Sequence, residues 1–275
     1  MRLSTTAFVR QSVFLLFLAC ITALGQSVGD FQLSAGASYD QQARTAAVSS
    51  YSDAAPTDFN VWVREWLDLD VSSSTFKWKK KNGDTQKTGA GDTSFTGIAV
   101  LYQGSGTDLL RPTVIMIYTA KVPTSDSSVS ASRELDHVIR LSLSKPGLSH
   151  IPRLSIKLQP GIGIFGRNSG GNDARAILAL QNKIVLDRNS NVTSLDPLAP
   201  KPVWFLQNDV TCYSKATKTP ADCSDSIRLS HKFLSAGLEL QGGAKIGLTA
   251  PSARFGLFTS LIYSGSFKSM FGGTE

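Results

Sequence analysis

The stretch "LSIKLQPGIGIF", residues 154–165, alternates strictly between two kinds of side chain. One parity is wholly apolar and consists of Leu154, Ile156, Leu158, Pro160, Ile162 and Ile164. The other is small, polar or cationic and consists of Ser155, Lys157, Gln159, Gly161 and Gly163. Period-two alternation indicates a β-strand with two unlike faces. A strand of this length suits a wall between lipid and water.

The same period recurs along the chain. The segment 113–122 alternates in this way, and 232–248 reads either as one very long strand or as a pair broken at Gly242 and Gly243. Weaker examples occupy residues 59–71, 93–103, 137–144, 174–186, 202–213 and 253–267. Turn-rich segments such as "KNGDTQKTGAGD" and "GRNSGGND" separate them. Helical periodicity is weak throughout, so the sequence predicts an all-β protein.

Strand length favours an antiparallel transmembrane β-barrel. Strands in soluble proteins usually run to about 5 or 6 residues, whereas tilted strands that cross an outer membrane need roughly 9 to 11. If the residues that remain after removal of an amino-terminal signal peptide are divided among such strands and their connections, about 10 to 12 strands are predicted. An even number is expected. An exported soluble β-sandwich remains the alternative, because its strands also alternate.

The amino terminus predicts export. Arg2 and Arg10 precede the apolar stretch "VFLLFLACI", residues 13–21, and Ala23 and Gly25 are the small residues that a signal peptidase requires before Gln26. We therefore expect a signal peptide at 1–25, a weakly patterned segment at 26–57 and a β-barrel domain at 58–275. The expected location is the outer membrane of a Gram-negative bacterium. Lipoprotein processing at Cys20 is a less favoured alternative.

Two cysteines remain after that cleavage. Cys212 and Cys223 lie in one polar segment, and an oxidising exported compartment favours a disulfide between them that pins the loop. A metal site is not expected there, because His137, His150 and His231 all lie outside this loop. No cofactor is predicted.

The net charge of +7 does not indicate a nucleic-acid partner, because the cations are scattered along the chain with acids between them. The run "KWKKK", residues 77–81, reads as a solvated loop or strand end. The aromatic residues near strand ends are candidates for interfacial girdles, namely Trp62, Trp66, Trp78, Tyr102, Tyr118, Trp204, Phe205 and Tyr263. The carboxyl terminus departs from barrels that finish on an aromatic residue, so Phe267 or Phe271 is expected to mark the last strand.

Two motifs carry a family resemblance. "GAGDTSFTGIAVLY" at 89–102 is followed by "RPTVIMIYTAKVPTSD" at 111–126, and together they resemble an outer-membrane β-barrel family of transporters described as "MetA-pathway of phenol degradation". The matching residues are Gly89, Gly91, Asp92, Thr93, Lys121, Pro123 and Thr124, with Val122 and Ser125 as departures. The resemblance implies a pore for small molecules, including hydrophobic or aromatic compounds. The motif residues themselves are expected to shape a turn and to end a strand.

The resulting function hypothesis is a non-enzymatic channel. Its partners would be outer-membrane lipid, a small-molecule solute and the barrel-assembly machinery. The candidate lumen-lining cations are Arg140, Arg153, Lys157, Arg175, Lys183 and Lys245, which predict a bias toward anions. A soluble binding protein and an outer-membrane lipid hydrolase are the alternatives. The sequence shows no specific nucleophile motif around its serines or histidines, which makes the hydrolase the less favoured alternative.

Overall fold

The computed structural model describes residues 30–41, 50–64, 66–81, 87–104, 111–125, 134–145, 151, 153–166, 172–187, 204–216, 219–233, 237–250, 252 and 255–267, and for 50–53, 75–81 and 87 it describes the backbone alone. The strands are β1 (Asp30–Gln41), β2 (Ser50–Arg64), β3 (Leu67–Lys81), β4 (Lys87–Gly89), β5 (Thr93–Tyr102), β6 (Thr113–Val122), β7 (Asp136–Lys145), β8 (Leu154–Gly166), β9 (Asn172–Val185), β10 (Trp204–Tyr213), β11 (Asp222–Phe233), β12 (Leu238–Gly247) and β13 (Phe255–Ser266). The predicted signal peptide lies outside these residues, and no helix within them is long and apolar enough to cross a membrane.

The sheet closes on itself. Each strand pairs antiparallel with its neighbours in sequence, β1 pairs with both β13 and β2, and β3 pairs with β2 and β5, which makes a closed barrel of 12 strands. The short β4 pairs only with the end of β3, at Lys77–Lys79. Because the ring is closed, none of its strands has an unpaired edge. In the hydrocarbon core of a membrane, such an edge would leave backbone groups without hydrogen bonds. The barrel prediction is confirmed, and the β-sandwich alternative is wrong.

The two rims of the barrel are distinct. We call the rim at which β1 begins and β13 ends the terminal rim. There Asp30 pairs with Ser266. The turn between β2 and β3 and the turn between β11 and β12 also lie there. At the opposite rim lie the connections from β1 to β2, β8 to β9 and β10 to β11.

The outer face carries the apolar parity of the strands. On β8, Leu158, Ile162 and Ile164 are exposed, with 61% of Ile162 accessible. Similar side chains cover the outer face of β7, β9, β11, β12 and β13, namely Ile139, Leu141, Leu178, Leu180, Ile227, Leu229, Leu240, Ile246, Leu257 and Leu261. So continuous an exposed apolar surface far exceeds what a water-facing monomer carries and is typical of barrels that face lipid.

Most predicted girdle aromatics are exposed near a rim. Trp62, Trp66, Tyr102, Trp204 and Tyr263 lie at or near the terminal rim, and Tyr118 lies toward the opposite one. Two residues depart from the prediction. Phe205 is 5% exposed and lies on the inner face of β10. Trp62 is directly paired with Asp68, so it has the inner parity at the terminal rim. The side chain of Trp78 and the side chains of the run at 77–81 lie outside the described residues.

The predicted amino-terminal boundary is corrected. β1 and the first part of β2 fall within 26–57, and they are barrel strands rather than a preceding segment. The outer face of β1 includes Ala35 and Ala37. Because their side chains are small, the outer and inner positions of β1 differ little in hydrophobicity, and the alternation is hard to recognise. Residues 59–71 also hold the end of β2 and the start of β3, and Trp66 lies in the turn between them.

The segment 232–248 is neither a single strand nor a pair broken at Gly242 and Gly243. The turn comes earlier, at Gly237, whose φ of 63° favours glycine. Gly242 and Gly243 lie inside β12. Because alternation continued through the turn, periodicity alone misplaced it.

The last described residue of the chain extends the wall. Phe267 follows β13 and packs against Phe31, with 4.6 Å between ring centroids, and Phe59 and Tyr263 complete the cluster. Phe31 is consequently only 6% exposed although it belongs to the outer parity. Phe271 lies outside the described residues.

The disulfide between Cys212 and Cys223 is confirmed, but it joins two strands rather than two points within a loop. The cysteines are directly paired across β10 and β11, with 4.1 Å between their Cα atoms. The bond closes the base of the 214–221 connection. Cys212 and Cys223 both lie on the outer face.

Removing this bond with Cys212→Ser and Cys223→Ser should lower the free energy of unfolding by about 2 to 3 kcal/mol, because the unfolded chain regains the freedom of a short loop. Urea titration of the protein in lipid vesicles, followed by tryptophan fluorescence, measures this. Reduced wild-type protein is the control and should show the same loss. Identical midpoints for oxidised wild type and the double variant would contradict the prediction.

Candidate functional site: the charged lumen

The charged side chains on the inner face of the barrel divide by sign. Strands β7 to β12 carry a cationic wall, which we define as Arg140, Lys157, Lys183, Arg228, Lys232 and Lys245. Two acids, Asp209 and Glu239, lie among these cations. The wall results from alternation, because each cation occupies the parity opposite to the exposed apolar residues of its strand.

Arg228 is held at the centre of this wall. Its guanidinium lies 3.5 Å from Asp209 Oδ2, donates to Gln241 Oε1 at 3.3 Å and lies over the ring of Phe258 at 5.5 Å. Its Nε is buried and has no hydrogen-bond partner within the described residues, and the same holds for Arg140 Nε. These two guanidiniums therefore retain donor capacity inside the barrel.

Two lysines share one aromatic ring. Lys183 Nζ lies 4.0 Å and Lys232 Nζ 5.0 Å from the centroid of Phe205, while Glu239 pairs with Lys232 at 3.6 Å. Lys183 also interacts electrostatically with Lys157 and Arg228. The aromatic face stabilises ammonium groups that otherwise repel one another, so positive charge can be concentrated here.

Glycines on the inner face make room for the large side chains. A Cβ at Gly161 would lie 2.5 Å from Arg140 Cγ, so the arginine can lie along the wall only because that position is bare. A Cβ at Gly243 would meet the Phe258 ring at 2.5 Å. The ring in turn supports Arg228. Glycine therefore determines where cations of the wall can lie.

An acidic wall lies on β2 and β3, and we define it as Asp58, Asp68 and Asp70. Asp58 accepts a hydrogen bond from Ser34 at 2.6 Å, and Asp68 accepts one from Asn60 at 2.8 Å. Asp68 is 3% exposed. Asp70 interacts electrostatically with both other acids. Opposite charges on two parts of one lumen create a field across it, and low-dielectric walls focus such a field.

Four of the six predicted lumen cations belong to the cationic wall: Arg140, Lys157, Lys183 and Lys245. Arg175 has the inner parity but lies near the opposite rim, where it donates to the carbonyls of Ser214 and Pro220 at 2.8 and 3.0 Å. Arg153 precedes β8 in a turn at the terminal rim, where its carbonyl accepts from Val185 N. These two residues are thus separate from the wall.

Sequence reasoning missed Arg228, Lys232 and the whole acidic wall. The signal for the first two was present, since "SIRLSHKF" at 226–233 alternates as a strand does. The signal is short, because a polar stretch around Cys223 precedes it and the alternation of 232–248 overlaps its end. The acidic wall was hidden by reading 59–71 as one unit.

The residues of the family motif meet at the opposite rim. Lys121 Nζ lies 2.8 Å from Asp92 Oδ2 and 3.6 Å from Asp136, and Ser125 N donates to Asp92 Oδ1 at 3.3 Å. Thr93 and Thr124 hydrogen-bond through their hydroxyls at 2.9 Å. We call Asp92, Thr93, Lys121, Thr124 and Asp136 the rim clasp.

Glycine and proline complete the rim clasp. A Cβ at Gly91 would lie 2.6 Å from Ser74 Cβ, and Gly91 N donates to Ser74 O at 2.7 Å. Gly89 ends β4, and Pro123 follows the last residue of β6. These contacts give the motif residues a structural setting, in which they tie the connection before β5 to the ends of β6 and β7.

Asp92 makes this rim acid-sensitive. Burial alone would raise the pKa of Asp92, but hydrogen bonds from Lys121 and Ser125 and the charge of Lys121 hold it below its usual value. Because the folded-state pKa is the lower one, the stabilisation is present above about pH 4 and is lost as the pH falls through the folded-state value.

Asp92→Asn should therefore lower the free energy of unfolding by about 1 kcal/mol at neutral pH, since Lys121 is partly solvated. It should also flatten the loss of stability below pH 4. Urea titrations in vesicles between pH 3 and pH 7 measure both effects. Lys215→Met, in the exposed connection after β10, is the control. Parallel pH profiles for wild type and Asp92→Asn would contradict the assignment.

Within the described strands and turns, no group of three or more His, Cys, Asp or Glu side chains is placed to hold a metal ion.

Two solved structures are similar to this chain. The β-domain of the Bordetella autotransporter BrkA is 10% identical and matches with a TM-score of 0.50 over 87% of this chain and all of its own length (100%). The translocator domain of the autotransporter NalP from Neisseria meningitidis, also 10% identical, covers 94% of this chain and 97% of its own with a TM-score of 0.46. Neither a family model nor a curated protein sequence matches. At this identity the likeness to the BrkA β-domain shows the fold alone, that of an outer-membrane β-barrel.

Proposed function

We propose that this protein is an outer-membrane channel through which small solutes pass and that it favours anions. The observation that carries the proposal is the cationic wall inside a closed barrel whose outer face is apolar. Lumen charges act on a passing ion at short range and in a low dielectric, where each charge has a larger effect than in bulk water.

The balance of charge supports an anion preference along the wall. The six cations of the cationic wall outnumber the two acids among them, Asp209 and Glu239. The acidic wall lies on β2 and β3, and among the described side chains no ion pair joins its acids to these cations. An anion that follows β8 to β12 meets several donors in succession, which permits binding weak enough for release.

The aromatic residues of the lumen refine the class of solute. Phe205 and Phe258 share the inner face with the cations that lie over their rings. The family resemblance independently implies hydrophobic or aromatic cargo. We therefore propose small organic anions, including aromatic carboxylates, which combine an apolar body with a charge.

A channel accounts for the described histidines more simply than a lipid hydrolase. His137 hydrogen-bonds to the Tyr118 hydroxyl at 2.8 Å, and His231 packs between Trp204 and Phe233. Hydrolysis needs a nucleophile and a base in contact. Both histidines instead belong to aromatic contacts on the outer face. Export by the predicted signal and insertion by the barrel-assembly machinery are part of this proposal.

Swelling of protein-containing liposomes tests the channel directly. Vesicles are placed in isotonic solutions of an organic carboxylate, a neutral sugar and an organic ammonium salt of similar size. We expect the carboxylate to enter several-fold faster than the ammonium ion. Vesicles with heat-unfolded protein are the control. Equal entry of all three solutes would refute the proposed anion preference. If none of the solutes entered, the proposal of a channel would be refuted.

A further inference from the structure

The inner face of the barrel also carries an apolar patch on β5 and β6. Ile98 is directly paired with Ile117, and Val100 is directly paired with Ile115. Ile98 also pairs with Asp68 of the acidic wall, so the patch has the inner parity. All four apolar side chains are half-buried. We call Ile98, Val100, Ile115 and Ile117 the apolar floor. Contact of these side chains with water is unfavourable, so they favour a ligand with an apolar part.

One row of paired residues joins the apolar floor to both charged walls. Asp68 on β3 pairs with Ile98 on β5, which pairs with Ile117 on β6. Ile117 pairs in turn with Arg140 on β7. Directly paired residues point to the same face of a sheet, and neighbouring strands lie about 4.8 Å apart. Asp68 and Arg140 are therefore about 14 Å apart along the wall, with two isoleucines between them. We call Asp68, Ile98, Ile117 and Arg140 the paired row.

The acidic end of the paired row has no counter-ion among the described side chains. Asp68 is 3% exposed and its Oδ2 accepts a hydrogen bond from Asn60. The backbone of Leu69 also interacts with this carboxylate, but its Oδ1 is buried without a hydrogen-bond partner among the described residues. Asp70 interacts electrostatically with Asp68 and Asp58, and no described ion pair includes any of the three. Carboxylates close together and away from water repel one another, so this end favours a cationic group.

Trp62 extends the paired row at its acidic end. Trp62 on β2 is directly paired with Asp68, and 39% of it is exposed. The face of an indole ring attracts ammonium groups, and the attraction is stronger where water is excluded. An exposed tryptophan beside carboxylates that lack a counter-ion is therefore a suitable setting for an organic cation.

The cationic end of the paired row also lacks a counter-ion. Arg140 Nε is buried without a hydrogen-bond partner, and no described acid forms an ion pair with this guanidinium. A Cβ at Gly161 would lie 2.5 Å from Arg140 Cγ, so the arginine extends toward β8 and away from the apolar floor. Lys157, also on β8, interacts electrostatically with Arg140. Because these two cations repel each other, this end favours an anionic group.

We propose that the paired row binds a dipolar solute, in which an ammonium group and a carboxylate are joined by an apolar body. The ammonium group contacts Trp62 and the carboxylates of Asp68 and Asp70. The apolar body covers the apolar floor, and the carboxylate accepts hydrogen bonds from Arg140. This inference deepens the proposed function and rests on it for passage of the solute, whereas binding requires only the folded barrel.

The two charged contacts should reinforce each other. Once one end of the solute is bound, the other end is held near its partner, so the second contact is intramolecular. A dipolar solute should therefore bind more tightly than an analogue that carries either charge alone. A dipolar molecule too short to reach both ends of the paired row should bind no better than a singly charged one.

Isothermal titration calorimetry of the full chain, folded in detergent micelles, tests this site. The probe is ω-aminooctanoate, and the controls are ω-hydroxyoctanoate, ω-aminooctanol and the short dipolar molecule β-alanine. We expect ω-aminooctanoate to bind at least about tenfold more tightly than each control. Titrations into protein-free micelles correct for partition into detergent. Equal affinities for the four solutes, or no binding of ω-aminooctanoate, would overturn the inference.

Substitutions at the two ends separate their roles. Asp68→Asn should weaken the binding of ω-aminooctanoate by about tenfold and leave that of ω-hydroxyoctanoate unchanged. Arg140→Gln should weaken ω-aminooctanoate similarly and leave ω-aminooctanol unchanged. Lys215→Gln, in the exposed connection after β10, is the matched control and should bind all solutes as wild type does. Heat-dependent gel mobility identifies folded variants, and Asp70→Asn replaces Asp68→Asn if the latter does not fold. Equal losses of affinity for all solutes in the folded variants would contradict the proposal.

Liposome swelling distinguishes the failure of this inference from the failure of the proposed channel. If the folded protein binds ω-aminooctanoate tightly but admits no solute into vesicles, the channel is refuted and the binding site is supported. If organic carboxylates enter but ω-aminooctanoate binds no more tightly than its controls, the channel is supported and the binding site is refuted.

Discussion

Replacing Lys157 and Lys183 by glutamate is expected to reverse the ion preference of the pore. Both side chains belong to the cationic wall, on adjacent strands, and the double substitution changes its charge by four units. A change of about 1 kcal/mol in the relative energies of small anions and cations corresponds to about a fivefold change in their permeability ratio. The reversal potential across a salt gradient in a planar bilayer should therefore change sign.

The control for charge reversal changes the same charge elsewhere. Arg64→Glu with Lys215→Glu alters two exposed residues, one at the end of β2 and one in the connection after β10. Salt screens such positions, so the reversal potential should shift only slightly. An unchanged potential in the Lys157 and Lys183 variant, or an equal shift in the control, would refute the assignment of the cationic wall.

Placing arginine on the outer face is expected to destabilise the barrel strongly. Ile162 lies on β8 with 61% of its side chain exposed, and lipid surrounds that position in our account. Ile162→Arg should lower the free energy of unfolding in vesicles by about 2 to 4 kcal/mol, because the charge loses its hydration near the bilayer centre. Urea titration in vesicles measures the change.

The same strand provides the control for this prediction. Gln159 lies three residues away on the inner face, where it contacts Ser142. Gln159→Arg should change stability by much less than Ile162→Arg, since the lumen is wet. If the free energy of unfolding fell equally in both variants, or fell more in Gln159→Arg, the assignment of inner and outer faces would be wrong.

The fold was largely predictable because its signal is local. Alternation along 113–122 and 154–165 predicts strands that match β6 and β8, and closure follows from the need to pair every edge in lipid. Turns were less predictable. At Gly237 the alternation runs on through the turn. Between Arg64 and Leu67 too few residues separate β2 from β3 to interrupt the pattern.

The candidate site was predictable only in part, because it depends on register between distant strands. Parity identified Arg140, Lys157, Lys183 and Lys245 as inward-facing, since parity is a property of one strand. The contact of Lys183 and Lys232 with Phe205 joins three strands, and no spacing in the sequence encodes it. Asn208 and Asp225 are similar: they are 17 residues apart in sequence, and their hydrogen bond depends on the pairing of β10 with β11.

Conductance of the wild-type protein tests the central claim most directly. Purified protein whose gel mobility changes on boiling, and which is therefore folded, is added to a planar lipid bilayer under a potassium chloride gradient. Our account predicts discrete conductance steps and a reversal potential on the anion-selective side. Folded protein that inserts without conductance, or that conducts with a clear cation preference, would contradict it.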